Sequence, residues 1–184
     1  MSELPELPST ADPELKHADA CLRLLTDCED LGGERGPGKT AAGLPAALEK
    51  LALNWKQVLK AQSWCASHAG EREDAAYLAM RFACTAPDLL YLRLDAEEWI
   101  KWLEAGIAHA ERDSYPKTHL HIVGNFGHAH LATGHPSEAR RYFEQQLAFA
   151  RTLRESRVEG TALCTLADLD VREGAYVSAE ERFI

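Results

Sequence analysis

The string Gly33-Glu34-Arg35-Gly36-Pro37-Gly38-Lys39-Thr40 satisfies the phosphate-loop pattern GxxxxGK[ST] at every position. That pattern holds phosphate when a buried strand delivers the loop to a helix N-terminus, whose amides and lysine then grip the anion. Here Leu22 to Leu31 includes Arg23, Asp27, Glu29 and Asp30 and reads as helix, so the string is expected to be an interhelical linker. A nucleotide-binding fragment using Lys39 and Thr40 is the alternative. Leu89 to Asp95 imitates the apolar run plus aspartate of a magnesium site, but it lies on a helical pattern.

Histidines gather at His119, His121, His128, His130 and His135. Two rings on a helix chelate one ion when spaced by three or four residues. At a spacing of two, His119/His121 and His128/His130 diverge by roughly 200°, given 3.6 residues per turn. His121 and His128 share a face two turns apart, too far for one ion, so the set is expected to be solvated or groove-lining. The carboxylates are spread along helical faces and no Ser or Cys stands in a nucleophile-elbow context, so neither catalysis nor a cofactor or metal is expected. The five cysteines, Cys21, Cys28, Cys65, Cys84 and Cys164, are odd in number and form no CxxC pair, and each is expected to act as a small buried apolar residue. Trp55, Trp64, Trp99 and Trp102 are expected to be core anchors.

These residues must be carried by helices. With 46% hydrophobic and 27% charged residues, the 184-residue chain can bury a continuous core. Helical spacing predicts segments over about 14–31, 44–68, 74–93, 96–112, 117–133, 137–156, 158–173 and 177 onward, with a kink or split near Pro87. No stretch sustains a period of two, so the expected fold is all-α, built from antiparallel hairpins with short connections. The formal net charge of −9 opposes a phosphate backbone, although Arg140, Arg141, Arg151, Arg154 and Arg157 form one basic stretch, and nucleic acid is not an expected ligand. No apolar run approaches the ~18 residues of a spanning helix. The N-terminus is acidic where a signal peptide would be basic, so a cytoplasmic protein without membrane contact is expected. The pattern runs to Phe183-Ile184 without a capping signal, as in a piece of a longer protein.

A shift of 40 residues brings Gly134 onto Gly174, Ala139 onto Ala179 and Phe143 onto Phe183; one step earlier, Leu103-Glu104 meets Phe143-Glu144 and Ile107-Ala108 meets Leu147-Ala148. On Gly124 to Glu144, with its small and aromatic positions Gly127, Gly134, Ala139 and Phe143, the chain resembles the tetratricopeptide family, in a form longer than the usual period of about 34. His130 and Gln146 depart from the family's tyrosine and alanine. The resemblance implies a right-handed α-solenoid of stacked hairpins in which a hairpin that cannot bury its apolar face alone is covered by its neighbours, leaving a curved binding surface. The implied organisation is a disordered lead-in over 1–13, a helical adaptor over 14–68 and repeats over 69–184, namely a degenerate one at about 74–112, one at 117–156 and a truncated one at 158–184.

A broader resemblance rests on His17 to Leu22, Arg35-Gly36-Pro37, Asn54 to Val58, Ser63-Trp64-Cys65, Leu89 to Arg93 and Trp99 to Glu104. These look like the segment joining the nucleotide-binding module of STAND-class (NB-ARC-like) regulatory ATPases to their tetratricopeptide sensor region. In the tetratricopeptide family the first helix of each hairpin lines the ligand groove. The register carries those positions onto Arg81, Asp88 and Tyr91, then His121, Asn125 and His128, then Thr161, Thr165 and Asp168. Asn125 matches a groove asparagine that binds peptide backbone or a terminal carboxylate in chaperone-binding members. Thr161 and Thr165 stand where a carboxylate clamp needs basic partners, so that clamp is not implied. The resulting expectation is a non-catalytic scaffold for a protein or peptide, open to self-association and suited to the sensor region of a signalling ATPase.

Overall fold

A computed structural model describes residues 12–32, 43–112 and 115–182, without the side chains at 88 and 110–112. The expected lead-in up to position 11, the phosphate-loop string at 33–40 and Phe183 lie outside the described residues. Those residues form nine α-helices and no strand: α1 Pro13–Gly32, α2 Gly43–His68, α3 Glu73–Cys84, α4 Pro87–Arg93, α5 Ala96–Arg112, α6 Pro116–Ala132, α7 Pro136–Leu153, α8 Ser156–Arg172 and α9 Tyr176–Glu181. The element leading toward the phosphate-loop string is therefore a helix.

Local chemistry sets the boundaries. Pro87, Pro116 and Pro136 each open a helix, where a missing N–H costs nothing and the fixed φ is already helical. Pro87 divides the predicted 74–93 helix into α3 and α4, with Ala86 between them in the left-handed region at φ 54. Asp95, the acidic residue of the apparent magnesium motif, is a helix cap: its Oδ1 accepts the Glu98 N–H at 2.8 Å.

Three helices end alike. The His135 N–H reaches the His130 carbonyl, Glu155 reaches Ala150 and Ala175 reaches Asp170, while the residue before each donor bonds the carbonyl three residues back. This motif needs a left-handed residue at its turn. Gly134 and Gly174 supply it at φ 75 and 78, and Arg154 supplies it at φ 58.

Helices α1 to α6 share one apolar core containing Leu22, Leu51, Phe82, Trp99 and Phe126. Trp55 and Trp102 stack at 6.3 Å between ring centres, and Phe82 meets Trp102 edge-on at 6.0 Å. Besides neighbour-on-neighbour packing, α1 touches α3 and α3 touches α6. These distal links give the first six helices the character of a compact bundle. A second cluster joins α7 and α8 through Ala139, Phe143, Leu147 and Leu166.

Small residues let α6 and α7 approach closely. At Gly127 an added Cβ would stand 2.5 Å from Cε1 of Phe143. Gly124 leaves room for Gln146, which is buried and donates from Nε2 to the Leu120 carbonyl at 3.3 Å. His130 stacks on Tyr142 with ring centres 5.2 Å apart. Both departures from the tetratricopeptide pattern thus have local partners. Cys21, Cys28 and Cys65 are buried in the core, but Cys164 is exposed on α8, because its position falls on the solvent side of a helix whose Ala162 and Leu166 face inward.

Candidate functional site

A cleft of about 420 Å³ opens among α4, α5, α6 and α8. Tyr91 comes from α4, while Asn125 and His128 come from successive turns of α6; the remaining walls are Pro87, Trp99, Leu131 and Arg172. This volume lies in the size range of ligand pockets, and the mixture of aromatic walls with a few polar groups suits recognition.

The polar groups differ in their freedom. Asn125 is buried, and its Nδ2 donates to the Ala83 carbonyl at 3.1 Å, tying α6 to the end of α3. One of its two amide N–H groups is thus engaged in the fold, which leaves the second N–H and Oδ1. His128 is exposed and sets its ring edge-on to Phe143 at 5.0 Å. Tyr91 is 53% exposed and meets Trp99 edge-on at 6.1 Å. Trp99 is buried, yet its indole N–H has no acceptor among the described residues. It therefore anchors the core and lines the cleft together.

Of the other register positions with described side chains, none lines the cleft directly. Arg81 is half-buried on α3, Asp88 lies on α4, and His121 is exposed on α6 without lining the cleft. On α8, Thr161 donates to the Arg157 carbonyl and Thr165 to that of Thr161, so both hydroxyls are bonded within their own helix. Asp168 reaches the cleft through Arg172, whose Nη2 donates to Asp168 Oδ2 at 3.0 Å. Arg172 itself was legible as the next helical turn after Thr161, Thr165 and Asp168. Trp99 was not, because it comes from α5 rather than from the helices the repeat register assigns to a groove.

Two arginines of the basic stretch, Arg140 and Arg151, are ion-paired. Arg140 bonds Asp170 at 2.6 Å and Glu173 at 2.9 Å, Arg182 bonds the other oxygen of Asp170, and Arg151 bonds Glu159. Burial acts to raise the Asp170 carboxyl, but the hydrogen bonds from Arg182 and Arg140 outweigh it and hold the group below the ordinary carboxylate range. Desolvation pushes the buried Cys65 thiol up to about 12, so it stays protonated and unreactive at neutral pH. Desolvation also lowers His130, stacked on Tyr142. Among the described residues, no group of three His, Cys, Asp or Glu side chains is arranged to hold a metal ion. Nor is any helix there long and apolar enough to cross a membrane.

In comparisons with known proteins, no family model matches the chain and no curated protein matches it significantly.

Proposed function

We propose that this chain is a non-catalytic scaffold of tetratricopeptide type whose cleft binds a segment of a partner protein or a peptide. In this reading it is a cytoplasmic protein and the sensor or interaction region of a larger signalling ATPase. The observation that carries the binding reading is the meeting of Tyr91, Asn125 and His128 in one cleft, although α5 separates their parent helices in the chain. All three are among the nine positions that the tetratricopeptide resemblance implies for a groove.

The repeat reading has support of its own. Gly134 and Gly174 share a turn geometry 40 residues apart, and Ala139 and Ala179 at corresponding positions are both buried. The helices pair as α1/α2, α3/α5, α6/α7 and α8/α9, with α4 inserted after α3. Stacking of such hairpins as an α-solenoid would present α6 and α8 along one binding face.

The test is selection from a random-peptide phage library, followed by fluorescence polarisation with one selected peptide. Tyr91→Ala combined with His128→Ala removes exposed cleft side chains and is expected to weaken binding at least about tenfold. Equal affinity for the variant and the natural chain would remove the cleft as the binding site. Asn125 is unsuitable as the probe because its amide also holds α3 to α6.

A further inference from the structure

Resting on the binding reading above, we propose that the cleft selects a partner segment in which an aromatic or large aliphatic side chain stands next to an acidic side chain. Arg172 sets the charge preference, and Asp168 is its internal competitor.

The apolar half of this preference comes from the walls. Pro87, Leu131 and the rings of Tyr91 and Trp99 surround a space of about 420 Å³, sized for one large side chain and its adjoining backbone. The polar half comes from unequal donors and acceptors. One Asn125 amide N–H is held by the Ala83 carbonyl, and the second N–H and Oδ1 together favour neither charge. The Trp99 ring lines the cleft, and its indole N–H, buried without an acceptor among the described residues, is a spectroscopic reporter beside the site. Among the described side chains lining the cleft, Arg172 alone carries a permanent charge.

Arg172 is available for exchange. Its pair with Asp168 joins side chains 70% and 65% exposed, one turn apart on α8. Exposed pairs of this kind contribute little, so a partner carboxylate can take the guanidinium from Asp168 when apolar contacts hold the segment in place. A cationic segment would instead meet Arg172 directly. The overall charge of −9 does not reverse this local choice, because at physiological salt the field of distant charges fades beyond about 8 Å.

The experiment uses two blocked peptides, acetyl-Gly-Phe-Asp-Gly-amide and its Asn counterpart, titrated into the ¹⁵N-labelled chain. The indole N–H signal of Trp99, assigned by its loss in Trp99→Phe, reports occupancy. The Asp peptide is expected to bind about three- to fivefold more tightly than the Asn peptide, the upper part of what a pair to an exposed guanidinium contributes. Arg172→Gln should bring the two within about twofold, and Asp168→Asn should widen the gap by removing the competitor. Equal affinities for the natural chain, or a preference that survives Arg172→Gln, would overturn the inference. If neither peptide moves the Trp99 signal while a library-selected peptide still binds through Tyr91 and His128, the charge preference falls and the binding function stands. If no peptide of either kind uses the cleft, both fall.

Discussion

Replacing glycine by alanine should have opposite signs at two helical positions of this chain. At Gly127 on α6 the new Cβ would meet Cε1, Cζ and Cδ1 of Phe143 at 2.5, 2.7 and 2.8 Å. Carbon atoms pack favourably at about 3.5–4.0 Å, so all three contacts are repulsive. The Phe143 ring is wholly buried on α7 and cannot swing into solvent. With three contacts below 3.0 Å on a ring that cannot move aside, the overpacking falls in the upper part of the usual range, about 2–3 kcal/mol, against which alanine recovers about 1 kcal/mol of helix propensity, leaving a net loss of about 1–2 kcal/mol. At Gly160 on α8 nothing lies within 4 Å of the new methyl group. There the propensity gain acts alone, and a stabilisation of about 0.5–1 kcal/mol is expected. Urea unfolding followed by circular dichroism measures both, with an unchanged slope showing that stability alone has moved. A neutral or stabilising Gly127→Ala, or the same sign at both positions, would refute the close α6/α7 approach.

Arg154→Gly should stabilise the chain by about 0.5–1 kcal/mol, since it relieves a left-handed arginine at a turn where Gly134 and Gly174 serve in the sister positions; thermal unfolding checks it. Asn125→Ala should cost about 1–3 kcal/mol in the same assay, because the Ala83 carbonyl loses its partner in a buried setting. Asp170 is held below its unfolded pKa, so its network with Arg140 and Arg182 adds stability above pH about 4 and loses it as pH falls through the folded value. Asp170→Asn should therefore be less stable at pH 7 by about 1–3 kcal/mol, with the gap from the natural chain closing in acid; urea titrations at pH 7 and pH 3 read the difference.

The helices were legible because their signals are local. The spacing of Leu15, Ala18, Leu22 and Leu25 produces one buried stripe on α1 without reference to any other segment. Pro116, Pro136, Gly134 and Gly174 punctuate the chain through backbone geometry that each residue type carries with it. Arg154 shows where that legibility ends, since the same turn forms with a residue that does not announce it. The cleft was legible only along helix faces. Register brought out Tyr91, Asn125 and His128, but the engagement of Asn125 with Ala83 depends on how α3 meets α6, 42 residues apart in sequence. Trp99 reads as core by composition and is core by burial, and only tertiary packing makes it a cleft wall as well.

The central claim is that a partner segment occupies the cleft among α4, α5, α6 and α8. Its most direct test is a heteronuclear NMR titration of the ¹⁵N-labelled chain with a library-selected peptide. Saturable shifts are expected at Tyr91, the Trp99 indole, His128, Leu131 and Arg172. Shifts gathered instead at a shallower depression between α6 and α7, lined by His119, Val123, Gln145 and Phe149, would contradict it.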